Sequence, residues 1–93
     1  MTRAIRIEKT GGADVLTLQE VDLKPPGAGE VRVRHRAIGV NFIDIYHRTG
    51  LYKLPLPSGL GLEAAGVVEA VGANVTRFRS GDRIAYASGP IGA

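Results

Sequence analysis

Five polar and aromatic side chains in the middle of the chain could together line a ligand cleft: Asn41, Asp44, Tyr46, Tyr52 and Glu63. An amide offers donors and an acceptor, and a tyrosine joins a hydroxyl to a flat ring, so this set suits the binding of a flat polar ligand. Two distant carboxylates are weak evidence for acid–base catalysis. The alternative is that Asn41 and Asp44 only cap a helix, and the sequence leaves both interpretations open.

Several other chemistries are excluded or weakened by the residues themselves. The chain has no cysteine, which excludes disulfides and thiolate metal sites. No Gly-x-Gly-x-x-Gly opens a helix, and the sequence has neither a P-loop nor a His-Glu-x-x-His motif. Ser58 and Ser80 have no evident histidine or aspartate partner for a nucleophilic triad. His35 is a lone histidine on a mostly apolar strand face, which favours a core or edge position over metal ligation.

The charge of the chain indicates solubility more than a binding function. Twelve basic and nine acidic residues give a net charge of +3, and Arg32, Arg34 and Arg36 alternate with apolar residues as on a solvated sheet face. Aromatic residues are few, so no nucleic-acid partner is expected. The apolar runs are far shorter than the roughly 20 residues that span a bilayer. The N-terminus also lacks a signal-peptide core. We therefore expect no membrane partner and a cytoplasmic location.

The cleft residues must be positioned by a short helix, which the sequence predicts over residues 41–50. Asn41 suits the N-cap, and the carboxylate of Asp44 suits the positive end of a helix dipole. Arg48 falls in the last turn, and Gly50 fits the position just after the helix. A helix this short needs tertiary contacts to hold it, and the loop over residues 51–63 is the expected neighbour.

The rest of the chain predicts a mainly β structure. Thirteen glycines, about twice the average usage, favour a small and strongly curved sheet with many turns. Leu16 and Leu18 are expected to face inward from the second strand, and Ala37 from the third. The expected strands cover residues 2–9, 15–21, 30–38, 62–71 and 83–87. Residues 88–93 carry no charge and look like a loop cut before a further strand.

Several motifs occur along the chain in a fixed order, and together they are more specific than any one alone. They are Gly11-Gly12-Ala13-Asp14-Val15-Leu16, Pro26-Gly27-Ala28-Gly29-Glu30-Val31, Ala37-Ile38-Gly39-Val40-Asn41-Phe42-Ile43-Asp44, Arg48-Thr49-Gly50-Leu51-Tyr52, Pro57-Ser58-Gly59-Leu60-Gly61-Leu62-Glu63-Ala64-Ala65-Gly66 and Gly81-Asp82-Arg83. With these motifs the chain resembles the N-terminal part of zinc-independent quinone oxidoreductases, in the medium-chain dehydrogenase/reductase superfamily. The resemblance covers essentially all of residues 1–93.

This resemblance implies a GroES-like fold, a distorted β-barrel with one or two short helices. Residues 1–93 would form part of the catalytic domain, and the Rossmann domain that binds NADPH in the family is absent from the chain. The resemblance also implies that there is no metal site. The zinc-dependent relatives have cysteine where this chain has Asn41 and histidine where it has Leu62, and neither residue here can hold catalytic zinc. Glu63 is then expected to be a structural carboxylate.

By the same resemblance, the chain is expected to be the substrate-side part of an NADPH-dependent quinone oxidoreductase, which transfers hydride to a quinone or enone. The family positions imply that Asn41, Asp44 and Tyr46 bind the cofactor and that Tyr46 and Tyr52 are catalytic. The chain alone is expected to be inactive, and open strand edges predict a homo-oligomer. The alternative function is a stand-alone GroES-like binding or chaperone module, which the fold alone would permit.

Overall fold

The structure is a computed structural model that describes residues 2–88. Its elements are the strands β1 (Thr2–Ile7), β2 (Thr17–Val21), β3 (Val31–Ile38), β4 (Ser58–Gly59), β5 (Glu63–Val71) and β6 (Arg83–Ala87), the helix α1 (Phe42–Thr49) and a one-turn 3-10 helix at Ala13–Val15. The predicted mainly β fold with one or two short helices is therefore confirmed. The terminal loop predicted over residues 88–93 lies, except for Ser88, outside the described residues.

The strands form two antiparallel sheets of three strands each. The first sheet has the order β2-β1-β4, and the second sheet has the order β3-β5-β6. Within residues 2–88 the two sheets do not join into a closed barrel. The described residues thus form two separate sheets, with α1 placed in the chain between β3 and β4.

The central strand of the second sheet is β5, and its small residues allow close packing. The run over residues 62–71 could form a helix by propensity, but the predicted strand is confirmed. Ala64, Gly66 and Val68 are buried along one face of β5. A Cβ at Gly66 would collide with the carbonyl oxygen of Arg34 on β3, so the neighbouring backbone approaches closely where no side chain exists.

The strand β3 has the predicted two faces over most of its length. Val33 and His35 are half-buried, whereas Arg34 and Arg36 are exposed. The pairing with β5 shifts register twice, and one shift lies between His35 and Ala37. This irregularity ends the strict alternation of the two faces, and Ala37, which was expected to face inward, is exposed.

The first sheet corrects the prediction for the second strand. The chain turns through the 3-10 helix before β2 begins at Thr17. Leu16 and Leu18 do not face inward: they are 40% and 60% exposed. Leu18 lies opposite Ile5 of β1, which is also exposed, so the two side chains form an apolar pair on the surface. The prediction is wrong because alternation separates the two faces of a strand without saying which face is covered.

Buried apolar side chains come from both sheets and from the 3-10 helix. Ala4 and Ile7 lie on β1, Ala64 and Val68 lie on β5, and Val15 ends the 3-10 helix. The side chains of Ile7 and Val68 have 0% exposure. Each sheet therefore contributes a fully enclosed branched residue, and these two residues mark the best-packed part of each sheet.

The end of α1 is fastened to the loop that follows β1. The N–H of Gly11 donates a hydrogen bond to the carbonyl oxygen of Arg48 at 3.0 Å. Gly50 has a φ of 89°, in the left-handed region that favours glycine, and this confirms the predicted end of the helix. The backbone of Gly50 also lies against Thr10. The C-terminal end of α1 is thus held to the loop after β1 without using any of the predicted site residues.

Candidate functional site

The start of α1 is stabilised by a reciprocal exchange between Asn41 and Asp44. Asn41 is the N-cap and has an extended backbone, and its N–H donates to Oδ2 of Asp44 at 2.9 Å. The N–H of Asp44 donates in turn to the carbonyl oxygen of Asn41 at 3.0 Å. The carboxylate also lies in the first turn, where it complements the helix dipole. The predicted capping of the helix by these two residues is therefore confirmed.

The side chain of Asn41 makes a further contact that capping alone does not explain. Its Nδ2 atom donates to Oε2 of Glu63, the first residue of β5, at 3.2 Å. The N–H of Gly39 donates to the carbonyl oxygen of Glu63, also at 3.2 Å. Asn41, Asp44 and Glu63 therefore form one hydrogen-bonded group that joins the start of α1 to the second sheet. Asn41 is half-buried and Glu63 is exposed, so a ligand can reach this group.

The two tyrosines of the predicted site form an aromatic pair near the end of α1. The ring centroids of Tyr46 and Tyr52 are 5.4 Å apart, with an angle of 73° between the planes, which is an edge-to-face arrangement. The N–H of Tyr52 donates to the carbonyl oxygen of Tyr46 at 3.1 Å, and this bond fixes the start of the loop beside the helix. The two residues are 36% and 50% exposed. Both rings are thus oriented by the protein and remain open to a ligand.

The five predicted site residues therefore fall into two groups connected by α1. Asp44 belongs to the first group and Tyr46 to the second, and both lie on this one short helix. Across residues 2–88, no hydrogen bond or ring contact connects the tyrosine pair directly to Asn41 or Glu63. The helix itself sets the spacing between the polar group and the aromatic pair.

An open groove lies where β3 ends, β5 begins and β6 ends. It has a volume of about 560 Å³, and residues 37–39, 63–65 and 85–87 line it. Most of its walls are alanine and glycine, and its polar side chains are Glu63 and Tyr86. Because Glu63 also accepts the hydrogen bond from Asn41, the groove adjoins the polar group at the start of α1.

Tyr86 and His35 form a polar pair that sequence analysis did not assign to the site. Nε2 of His35 and the hydroxyl of Tyr86 are 3.0 Å apart. The two side chains approach each other across β5, where they lie opposite Gly66 and Ala64 in register. Burial raises the pKa of Tyr86 above its ordinary value of 10.0, so the hydroxyl keeps its proton at neutral pH. Only the pairing of three strands brings these residues together, and the sequence carries no direct signal of that pairing.

The metal ligands of zinc-dependent relatives have no counterpart in the chemistry of this site. The amide nitrogen of Asn41 is directed to a carboxylate, and Leu62 has no donor atom. In the part of the chain that the structure describes, no group of three or more His, Asp or Glu residues is placed to hold a metal ion. His35, predicted to be a core or edge histidine, is half-buried and bonded to Tyr86.

No helix between residues 2 and 88 is both long enough and apolar enough to cross a membrane.

Comparison with known proteins gives a consistent set of relatives. A quinone oxidoreductase from Pseudomonas aeruginosa is 58% identical over 94 residues, and the match covers 100% of this chain and 29% of that protein. The crystal structure of a quinone oxidoreductase from Pseudomonas syringae pv. Tomato DC3000 superposes with a TM-score of 0.92 at 55% identity, covering 99% of this chain and 29% of that one. The Escherichia coli quinone oxidoreductase, solved in complex with NADPH, also gives a TM-score of 0.92, at 47% identity and over 97% of this chain and 28% of that one.

The extent of these matches defines what part of the relatives the chain represents. It spans less than a third of the length of the proteins it matches. Residues 27–92 match the family described as the alcohol dehydrogenase GroES-like domain. This match includes the whole of α1, the second sheet and the polar group at the start of the helix. The chain therefore belongs to the alcohol dehydrogenase GroES-like domain family, within the medium-chain dehydrogenase/reductase superfamily.

Proposed function

We propose that the chain is the substrate-side domain of an NADPH-dependent quinone oxidoreductase, which transfers hydride to a quinone or enone without zinc. The observation that carries this proposal is the arrangement along α1. An oriented amide and two carboxylates lie at the start of the helix, and a half-exposed tyrosine pair lies near its end. The names of the relatives support the same chemistry, because they are quinone oxidoreductases and one was solved with NADPH.

We assign cofactor binding to Asn41, Asp44 and Tyr46. After its bond to Glu63, the amide of Asn41 keeps one N–H donor, and its oxygen, which accepts from the Asp44 N–H in the capping box, keeps a second lone pair; these groups match those of a nicotinamide carboxamide. Asp44 holds the backbone of Asn41 and so keeps that amide in place. NADPH, when bound, supplies the hydride. The contribution of this chain is to orient the nicotinamide and the acceptor against each other.

We assign the catalytic role to Tyr46 and Tyr52. A quinone is flat and carries carbonyl oxygens, so it can pack on a tyrosine ring and accept a hydrogen bond from the hydroxyl. Such a hydrogen bond stabilises the negative charge that gathers on the oxygen as hydride arrives. A quinone is already a good hydride acceptor, so hydroxyl groups can suffice where zinc-dependent relatives use a Lewis acid.

The proposal divides the enzyme into two parts. Residues 1–93 form part of the GroES-like catalytic domain, and the pyrophosphate of NADPH is held on a Rossmann domain outside these residues. The chain by itself is then inactive as a reductase, because it offers no glycine-rich loop for the pyrophosphate. We place the enzyme in the cytoplasm.

We further propose that copies of the chain associate through their open strand edges. Each sheet has three strands, so among the described residues β2 and β4 flank the first sheet and β3 and β6 flank the second. The unpaired backbone groups of an edge strand can pair with another chain. Light scattering of the purified chain is expected to give the mass of a dimer or a larger assembly, and a monomer at high concentration would contradict this proposal. No nucleic-acid or membrane partner is proposed.

A segment exchange tests the reductase assignment. The matched segment of the Pseudomonas aeruginosa quinone oxidoreductase is replaced by residues 1–93, and NADPH oxidation with duroquinone is followed. We expect the chimera to keep activity within about tenfold of the parent enzyme, because the segments are 58% identical. The chain alone, assayed in the same way, is expected to give no turnover.

Two matched variants test whether the tyrosine hydroxyl groups take part in the reaction of the chimera. Tyr46→Phe and Tyr52→Phe keep the ring pair and remove one hydroxyl each, so we expect kcat to fall about tenfold for each with little change in stability. Tyr86→Phe is the control, because its hydroxyl belongs to the pair with His35. An inactive but folded chimera, or tyrosine variants as active as the parent chimera, would overturn the assignment.

A further inference from the structure

Glu63 is the one predicted site residue that lies on a strand: its position suited a ligand cleft, and the family resemblance implied a structural role for it. We propose that Glu63 is a positioning residue that determines which atoms the Asn41 amide presents to a ligand. The inference rests on the proposed function, in which Asn41 binds the nicotinamide end of NADPH. It adds a residue on the second sheet to a site otherwise built from α1 and the loop that follows it.

The chemistry of the contact fixes the direction of the amide. An asparagine amide can rotate by half a turn and exchange its NH₂ group for its carbonyl oxygen at almost unchanged shape. An ionised carboxylate only accepts hydrogen bonds, so the NH₂ side must face Glu63, as the 3.2 Å contact from Nδ2 to Oε2 records. The second N–H of Asn41, and the lone pair of its amide oxygen that the Asp44 N–H does not use in the capping box, then lie in one defined arrangement for a ligand.

The backbone around the contact is shaped to hold the carboxylate of Glu63 in this place. A Cβ at Gly39 would collide with Oε1 of Glu63, so the carboxylate occupies the space that a side chain would fill. The N–H of Gly39 holds the carbonyl oxygen of Glu63 at 3.2 Å. Asn41 is held independently, through its own N–H and Asp44. The backbone of each partner of the contact is therefore held in place by a hydrogen bond of its own.

Between residues 2 and 88, no salt bridge involves the carboxylate of Glu63. The salt bridges in the described part of the chain are Arg32 with Glu69 and Arg34 with Glu69, at 3.9 and 3.5 Å. Glu69 lies further along the same strand, β5, and is also exposed. The two glutamates thus differ in their partners: Glu69 pairs with arginines, and Glu63 accepts from the amide that the proposed function uses.

The test compares the binding of NADPH by the chimera described above, which carries a complete cofactor site, and by its variants, followed through ¹⁵N chemical shifts that include the Asn41 side chain. Glu63→Gln keeps the shape but can donate or accept, so the amide is free to turn, and we expect the Kd for NADPH to rise about three- to tenfold. Gly39→Ala displaces the Glu63 carboxylate while leaving both partners chemically intact, and a similar rise is expected. Glu69→Gln is the matched control and is expected to leave the Kd unchanged.

A double variant that exchanges the hydrogen-bond donor and acceptor distinguishes a positioning role of Glu63 from a purely structural role. In the double variant Asn41→Asp with Glu63→Gln, the glutamine amide donates to the aspartate. The hydrogen bond between the two positions therefore remains, but position 41 offers no N–H to the ligand. We expect the midpoint of urea denaturation to match that of wild type and the Kd for NADPH to rise more than about tenfold. A double variant that binds NADPH like wild type would show that the contact of Glu63 with position 41 is purely structural. If wild type itself shows no shift at Asn41 with NADPH, the proposed function fails and the inference fails with it.

Discussion

The two sheets differ in what their accessible faces carry. The second sheet presents polar groups: Glu63 at the start of β5, and His35 and Tyr86 bonded to each other across it. The first sheet presents the apolar pair of Ile5 and Leu18 and none of the predicted site residues. The second sheet therefore contributes Glu63 to the chemical site, and the loop that follows β1 holds the far end of α1 in place.

This difference has two physical causes: the central residues of the second sheet are small, and one edge strand of the first sheet is short. On β5, Ala64 and Gly66 leave room above the strand, so His35 and Tyr86 from the flanking strands can meet. In the first sheet β4 is only two residues long, so β1 has a full-length partner on one side only. Substitutions in the two sheets should accordingly have different consequences.

The largest effect is expected at the centre of the second sheet. Gly66→Ala places a Cβ against the backbone carbonyl of Arg34 and 2.9 Å from Cγ1 of Val33, and the backbone cannot turn aside as a side chain could. We expect the free energy of unfolding to fall by more than about 3 kcal/mol, measured by urea denaturation. Loss of the second sheet should also remove the contact between Asn41 and Glu63.

The control for this prediction is a glycine in open space. Gly29 has a φ of 77° and no atom within 4 Å of an added Cβ, so Gly29→Ala measures backbone strain without a collision. A cost of about 1 kcal/mol is expected there. If Gly66→Ala costs no more than Gly29→Ala, the close approach of β3 and β5 is not the organising feature of the second sheet.

The next effect distinguishes two isoleucines on one strand of the first sheet. Ile7 has 0% exposure and Ile5 has 45%, although alternation places them on the same face. Ile7→Ala is expected to lower the free energy of unfolding by about 2–4 kcal/mol, because it leaves a cavity in enclosed surroundings. Ile5→Ala is expected to cost less than about 1 kcal/mol. If both variants lost the same free energy of unfolding, Ile5 and Ile7 would be equally enclosed, and the contrast between the two sheets would be lost.

The strands β3 and β5 show how much of the fold could be predicted from the sequence. The period of two in β3 and the small residues of β5, among them Gly66, identify both strands correctly, because alternation and small residues act locally. The same reasoning is wrong for Leu16 and Leu18, since the covering of a face depends on what packs against it elsewhere in the chain.

The candidate site shows the same division between local and distant information. Asn41 and Asp44 form the predicted helix cap because a cap is a contact between residues three positions apart. The bond from Asn41 to Glu63 spans 22 positions, and the bond from His35 to Tyr86 spans 51. Those two bonds depend on how three strands pair, and no spacing in the sequence encodes that pairing.

A smaller effect depends on pH and tests the polar pair of the second sheet. Tyr86→Phe removes the hydrogen bond with His35, and we expect it to lower the free energy of unfolding by about 1 kcal/mol at neutral pH. Burial raises the pKa of Tyr86 in the folded chain, so above pH 10 the unfolded chain loses its proton first. The free energy of unfolding of wild type should then fall as the pH rises above 10, and its advantage over Tyr86→Phe should shrink there. An advantage that grows over this range would show that the hydroxyl is not held in its neutral form.

The smallest effect is expected on the apolar surface of the first sheet, and it is the most direct test of the contrast between the sheets. Leu18→Thr keeps a residue with good strand propensity and removes apolar surface that is 60% exposed. Because little of that surface leaves water on folding, the free energy of unfolding should change by no more than about 0.5 kcal/mol. A loss of about 2 kcal/mol or more would mean that Leu18 is enclosed in solution, as the alternation of its strand first suggested. The first sheet would then have a second covered face, and the open apolar pair with Ile5 would belong to an interface instead of a free surface.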